Sequence, residues 1–207
     1  VVPNDGVTHQ GLFDIALFRP VPGLSILSPV SALDLKLCFE YALAAKGPVL
    51  IRYPKANCPQ ELPDFSQKVK EGKGILIESE GKSVKNKYLI VTTGSMFQEV
   101  QQALCEEAAK KIKADIYIMR FIKPFNEEYF IQLACQYKGV LFVEDGVETG
   151  GISEYAAGLL AKKKYLKTKI LAFQDKYYSH GNRLQILEDA GLAPKQIAQA
   201  LKGFANA

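Results

Sequence analysis

The chain has 207 residues, with 26 Lys and Arg against 22 Asp and Glu and a net charge of +4. Apolar residues make up 48% and charged residues 23%, the balance of a globular protein with a real core. No run reaches the ~20 apolar residues of a membrane-spanning helix, and no basic cluster is interleaved with stacking aromatics, so membrane insertion and nucleic-acid binding are set aside.

Val1 to Gly11, VVPNDGVTHQG, packs Asp5, Thr8, His9 and Gln10 around Gly6 and Gly11. Glycines permit unusual backbone angles, so the run reads as a loop. Its polar side chains either face a ligand or satisfy their own backbone, as in a surface turn. Leu24 to Leu27 is a short apolar run closed by Ser28-Pro29. Ser31-Ala-Leu-Asp34 fits a capping box, and Leu33, Leu37, Tyr41 and Ala45 recur at helical spacing until Gly47-Pro48 stops the helix. Pro48 to Tyr53, PVLIRY, reads as a buried parallel strand ending in charge. From Pro54 to Lys73, prolines and charged residues destroy any period, and this stretch reads as a linker.

A second unit begins near Gly74, with strands expected at Gly74 to Ile77 and Tyr88 to Val91. Ser95-Met-Phe-Gln98 fits a capping box for a helix running to about Ile112, followed by a strand over Ile116 to Met119. Asn126 can cap a helix with Glu127 and Glu128 in its first turn, where carboxylates suit the dipole. Strands at Val140 to Val143 and Ile170 to Phe173 flank a helix over Ile152 to Ala161. The basic run Lys162 to Lys164, with Lys167 and Lys169, solvates the end of that helix. Leu184 to Asp189 and Pro194 to Phe204 close the chain as helices broken at Gly191.

This alternation predicts an α/β fold with parallel or mostly parallel sheets and helices on both faces. Residues 1–60 form a first unit, 61–73 a linker and 74–207 a second unit. The first offers two strands and one helix, too few to cover both faces of a parallel sheet, so a truncated domain is expected, its upstream part missing and the faces of its strands partly uncovered. Cys38, Cys58, Cys105 and Cys135 lie far apart without a C-x-x-C pair and read as buried free thiols of a reducing cytoplasm.

D-G-x-T-H-Q-G at Asp5 to Gly11, Phe13-Asp14, and R-Y-P-K at Arg52 to Lys55 together resemble the 1-deoxy-D-xylulose-5-phosphate synthases, within the transketolase-like, thiamine-diphosphate-dependent enzymes. The likeness implies the end of a pyrimidine-binding domain followed by a complete transketolase C-terminal-type domain. It further implies a cytoplasmic homodimer that needs thiamine diphosphate and Mg²⁺, decarboxylates pyruvate and passes the two-carbon unit to D-glyceraldehyde 3-phosphate for isoprenoid, thiamine and pyridoxal synthesis. The family's metal and diphosphate motif and its catalytic glutamate precede the D-G-x-T-H-Q segment, so this stretch alone is expected to lack cofactor ligands and to be inactive.

By that resemblance His9 and Asp5 are the catalytic candidates. Histidine suits proton transfer near neutral pH, so His9 polarises or protonates the acceptor aldehyde while Asp5 contacts a hydroxyl or orients. Lys55 and Arg52 are the substrate-binding candidates. Lys55 stands where the family usually has a phosphate-holding arginine, keeping the charge without the planar fork; for Arg52 a structural ion pair is the stronger expectation. Glu144-Asp145-Gly146 with Gly150-Gly151, and His180 in D-K-Y-Y-S-H-G, match the C-terminal domain and read as packing, turn or interface elements. The alternatives are half of a transketolase, a 2-oxo-acid dehydrogenase β subunit, or a non-catalytic dimerisation module.

Overall fold

The computed structural model describes residues 1–79, 87–163 and 166–206. Eight strands and seven helices are described, with two hydrogen-bonded sheets among them. The larger sheet has the order β3-β5-β4-β7-β8, built from β3 (Ile75–Ile77), β4 (Tyr88–Thr93), β5 (Ala114–Met119), β7 (Gly139–Val147) and β8 (Lys167–Phe173). Its four-strand body is parallel, and β3 adds an antiparallel edge with Leu76 opposite Tyr117.

Side-chain alternation in the strands explains both faces. Ile90, Ile116, Ile118, Leu141 and Val143 point to one side, where α3 (Phe97–Cys105), α6 (Arg183–Asp189) and α7 (Pro194–Asn206) pack. Leu89, Val91, Tyr117, Met119, Val140 and Phe142 point to the other, under α4 (Glu127–Ala134) and α5 (Ile152–Lys163). In α7 the buried positions Ile197, Ala198, Leu201 and Phe204 recur with the helical period. A sheet buried on both faces accounts for the near-continuous apolar runs of β4, β5 and β7.

The smaller sheet, β2-β1-β6, joins the two halves of the chain. β1 (Ser25–Leu27) pairs in parallel with β2 (Val49–Ile51) and antiparallel with β6 (Phe121–Lys123), which directly follows β5. α1 (Asp14–Phe18) and α2 (Ala32–Ala44) complete this half, and a 3₁₀ turn over Pro63–Ser66 buries Phe65.

Several local expectations are corrected. β2 is an edge strand whose three residues are each half-buried, because among the described residues no further strand covers its outer side. The uncovered apolar surface lies chiefly on helices: Leu17 and Phe18 of α1 and Phe39 and Leu43 of α2 are exposed. The buried positions of α2 are Asp34 and Cys38, since Asp34 turns inward to pair with Arg120. The Ser31 hydroxyl accepts from Asp34 N as expected, but the Asp34 carboxylate accepts from Val30 N. α3 begins at Phe97 after a 3₁₀ turn and ends at Cys105 rather than near Ile112, and no side chain caps its start. Cys58 and Cys105 are exposed, Cys135 is half-buried, and of the four thiols Cys38 alone is buried. Lys164 of the basic run lies outside the described residues.

Candidate active site

The D-G-x-T-H-Q-G loop folds back on itself and lies against the segments that follow the carboxyl ends of β7 and β8. Val2 N donates to Gln10 O at 2.9 Å, closing the loop, and Asn4, Gly6 and Gly11 take positive φ values of 71°, 76° and 67°. The buried Gln10 amide donates to Tyr178 O (3.1 Å) and Ser179 O (3.3 Å), Asn4 N donates to Gly181 O (3.0 Å), and Val147 N donates to Leu12 O (2.8 Å). The carboxyl ends of parallel strands are where α/β proteins place ligands.

Asp5, Thr8 and His9 are exposed at the tip of the loop. Thr8 Oγ1 lies 2.8 Å from His9 Nδ1, so threonine rather than Asp5 holds the ring. Asp5 is reached instead by Lys55, whose Nζ lies 3.3 Å from Asp5 Oδ2 across 50 residues of sequence. Both partners are well exposed, at 67% and 43%. The structure thus brings Asp5, His9 and Lys55 to one open surface.

Arg52 is held apart from them. Its side chain is 8% exposed: Nε donates to Asp14 Oδ2 (2.8 Å), Nη2 to Asp14 Oδ1 (3.3 Å) and Nη1 to Asp145 Oδ1 (2.7 Å). Thr93 Oγ1 donates to the same Asp145 oxygen at 3.0 Å, and Val1 N lies 2.9 Å from Asp145 Oδ2. Burial alone would raise the Asp145 carboxyl, but the Arg52 guanidinium overrides it and holds the group well below the usual carboxylate range. The same two carboxylates, working against burial, hold Arg52 firmly protonated. Arg52, Asp14 and Asp145 form a clamp tying β2 and α1 to β7.

Glu144 serves the neighbouring turn. It is fully buried, and its carboxylate accepts from Ile152 N (3.2 Å) and Ser153 N (2.8 Å), occupying the anion position at the start of α5. Burial raises its carboxyl, against the opposing pull of the Ser153 and Ile152 hydrogen bonds. Gly151 is required there, since a Cβ would lie 2.6 Å from Val147 O and 2.9 Å from Glu144 Oε1. His180 is exposed beside Gly181, which anchors the loop.

Sequence reasoning missed the roles of Gln10 and Asp145, and Asp14 entered as a motif residue without a role. A buried polar residue inside a polar loop carries no periodic signal, and a charged residue's partner 93 positions away is not visible in one chain. Among the described residues no group of three or more His, Cys, Asp or Glu side chains converges as metal ligands.

A mostly parallel sheet covered on both faces, with a polar loop docked beyond its strand ends, defines a layered α/β protein. The transketolase C-terminal domain family matches residues 76–197, the transketolase pyrimidine-binding domain family matches residues 1–61, and the chain belongs to the transketolase family. Over 198 residues, 95% of its length, it is 50% identical to a 1-deoxy-D-xylulose-5-phosphate synthase of Treponema pallidum; over 205 residues it is 31% identical to the synthase of Lachnoclostridium phytofermentans. It spans about a third of these curated relatives, 31% and 32% of their lengths. In fold it superimposes on a split-gene transketolase described as an inactive beta4 tetramer, with a TM-score of 0.85 at 21% identity, covering all of this chain and 66% of that one. The transketolase of Campylobacter jejuni follows at 0.72 and 16% identity, covering 97% of this chain and 29% of that one.

Proposed function

We propose that this chain supplies the acceptor-binding loop and the C-terminal domain of a 1-deoxy-D-xylulose-5-phosphate synthase. Pyruvate and D-glyceraldehyde 3-phosphate then yield 1-deoxy-D-xylulose 5-phosphate and carbon dioxide. In this reading residues 1–60 belong to the pyrimidine-binding domain, 61–73 link, and 74–207 form the C-terminal domain. The two thirds of the relatives that this chain does not span supply the ligands for thiamine diphosphate and Mg²⁺, in a cytoplasmic homodimer. The exposed apolar residues of α1 and α2 suit such a buried contact.

The observation that carries the reading is the convergence of Asp5, His9 and Lys55 on one open surface from two separate segments. An ion pair as exposed as Lys55 with Asp5 is worth at most about 1 kcal/mol, so an acceptor phosphate can take the ammonium from the carboxylate. Released, Asp5 is positioned to accept from an acceptor hydroxyl. With Nδ1 against Thr8, His9 has Nε2 left to donate a proton to the aldehyde oxygen as the new carbon–carbon bond forms. Arg52 does not touch the acceptor; it fixes the strand end that carries Lys55.

The test is a chimera in which this chain replaces the matching third of the Treponema pallidum synthase. Turnover of pyruvate with D-glyceraldehyde 3-phosphate, abolished by His9→Gln, is expected. A folded chimera that works only with ketose phosphate donors would make the protein a transketolase. One that is inactive beside an active parent would leave the chain a non-catalytic assembly module.

A further inference from the structure

We propose that the cleft between the linker and the end of β5 is a binding site for a phosphorylated small molecule, distinct from the Asp5, His9 and Lys55 surface. The cleft has a volume of about 400 Å³ and is lined by Lys68, Lys70, Lys73, Arg120, Gln67 and Tyr129, with no carboxylate among the described lining residues. Arg120 is paired with Asp34, and the three lysines have no carboxylate partner among the described residues.

The arrangement is built rather than accidental. Lys73 N donates to Lys70 O at 3.0 Å across a β-turn whose third residue, Gly72, has φ of +73°, so Lys70 and Lys73 stand at the two ends of one tight turn. The turn is pinned to the second half of the chain: Asn126 N donates to Gly72 O at 3.0 Å and Gly74 N donates to the Tyr117 hydroxyl at 2.7 Å. A Cβ on Gly72 would press on Asn126 at 3.1 Å, and one on Gly74 would lie 2.0 Å from Ile118 O. Lys73 Nζ sits 4.3 Å from the centroid of the Tyr129 ring, which fixes the ammonium at the cleft wall. The acid within the turn, Glu71, faces away and accepts from the Tyr41 hydroxyl at 2.9 Å.

At the cleft wall lies Arg120, 2% exposed. Its Nε is 2.7 Å from Asp34 Oδ1, and its Nη2 has no hydrogen-bond partner among the described residues. A buried guanidinium with unmet donors is costly, and a phosphate oxygen is the group its planar fork matches. The exposed ammonium groups of Lys68 and Lys70, the Lys73 ammonium held on Tyr129 and the buried Arg120 guanidinium suit a ligand with more than one anionic oxygen.

The experiment is isothermal titration of the 207-residue chain with inorganic pyrophosphate, orthophosphate and citrate at matched ionic strength. Lys68→Gln/Lys70→Gln is the test variant and Lys195→Gln on α7 the distant control. Because Lys68 and Lys70 are exposed, their replacement does not threaten the fold. Saturable binding of pyrophosphate is expected, weakened about tenfold or more in the double variant and unchanged in the control. No saturable heat from either phosphate, equal affinity for citrate, or an affinity untouched by the double variant would each overturn the assignment. These readouts are independent of turnover, so they stand apart from the synthase reading.

Discussion

Asp145→Asn tests whether the clamp between the two halves of the chain is electrostatic. The substitution keeps the shape of the side chain and removes its charge, leaving the Arg52 guanidinium with Asp14 alone. Arg52 and Asp145 are 8% and 2% exposed, so water cannot stand in for the lost carboxylate. Removing one partner of a buried pair costs about 3–5 kcal/mol, and because Asp14 remains and is partly solvated, the lower end, about 3 kcal/mol, is expected. The folded carboxyl of Asp145 lies well below its unfolded value, so its contribution is present above the unfolded range near ~4 and is lost as pH falls through the folded value. Urea denaturation of parent and variant at about pH 7 and about pH 3 reads both effects. The variant should be destabilised at neutral pH and should lose less stability than the parent on acidification. A cost under about 1 kcal/mol at neutral pH, or an unchanged acid response, would refute the assignment of the clamp as a charge pair.

Further outcomes follow from burial and close approach. With a thiol-specific reagent near neutral pH, the exposed Cys58 and Cys105 should react first and Cys135 more slowly; Cys38, whose thiol burial beside Asp34 pushes up to about 12, should react only on unfolding. Gly151→Ala forces a Cβ against Val147 O and the Glu144 carboxylate, and should cost about 2 kcal/mol, read as a melting temperature lower by roughly 5 °C. In the synthase chimera, Lys55→Arg should lower the KM for the phosphorylated acceptor, since the planar fork binds phosphate at two points, while leaving stability within about 0.5 kcal/mol. A KM unmoved by that change would remove Lys55 from the phosphate contact.

The layered architecture was readable because its signals are local and periodic. The buried strands β4, β5 and β7 and the helices α4, α6 and α7 appear where apolar runs, the Asn126 cap and the Gly191 break place them. Gly191, with φ of +74°, stops α6 for the conformational reason expected of a glycine. What escaped was non-local. β6 is three residues long, FIK, and acquires strand character only by pairing with β1 almost a hundred positions earlier. The helical period of Leu33, Leu37 and Tyr41 was real, yet the inward face of α2 is set by Asp34, because a buried Arg120 demands a carboxylate opposite. That Asp5 to Gly11 forms a loop was legible from its glycines. Its anchoring through Gln10 to the backbone at 178–179 was not, since one buried amide leaves no pattern.

The pairing of β6 with β1 also bears on how this polypeptide can be divided. β6 is continuous with the second half yet finishes the sheet of the first, so a cut in the linker would create two complementary sticky edges rather than two finished pieces. Fragments severed there should seek each other out, and the seam offers a natural place to build a split reporter whose reassembly is driven by strand addition.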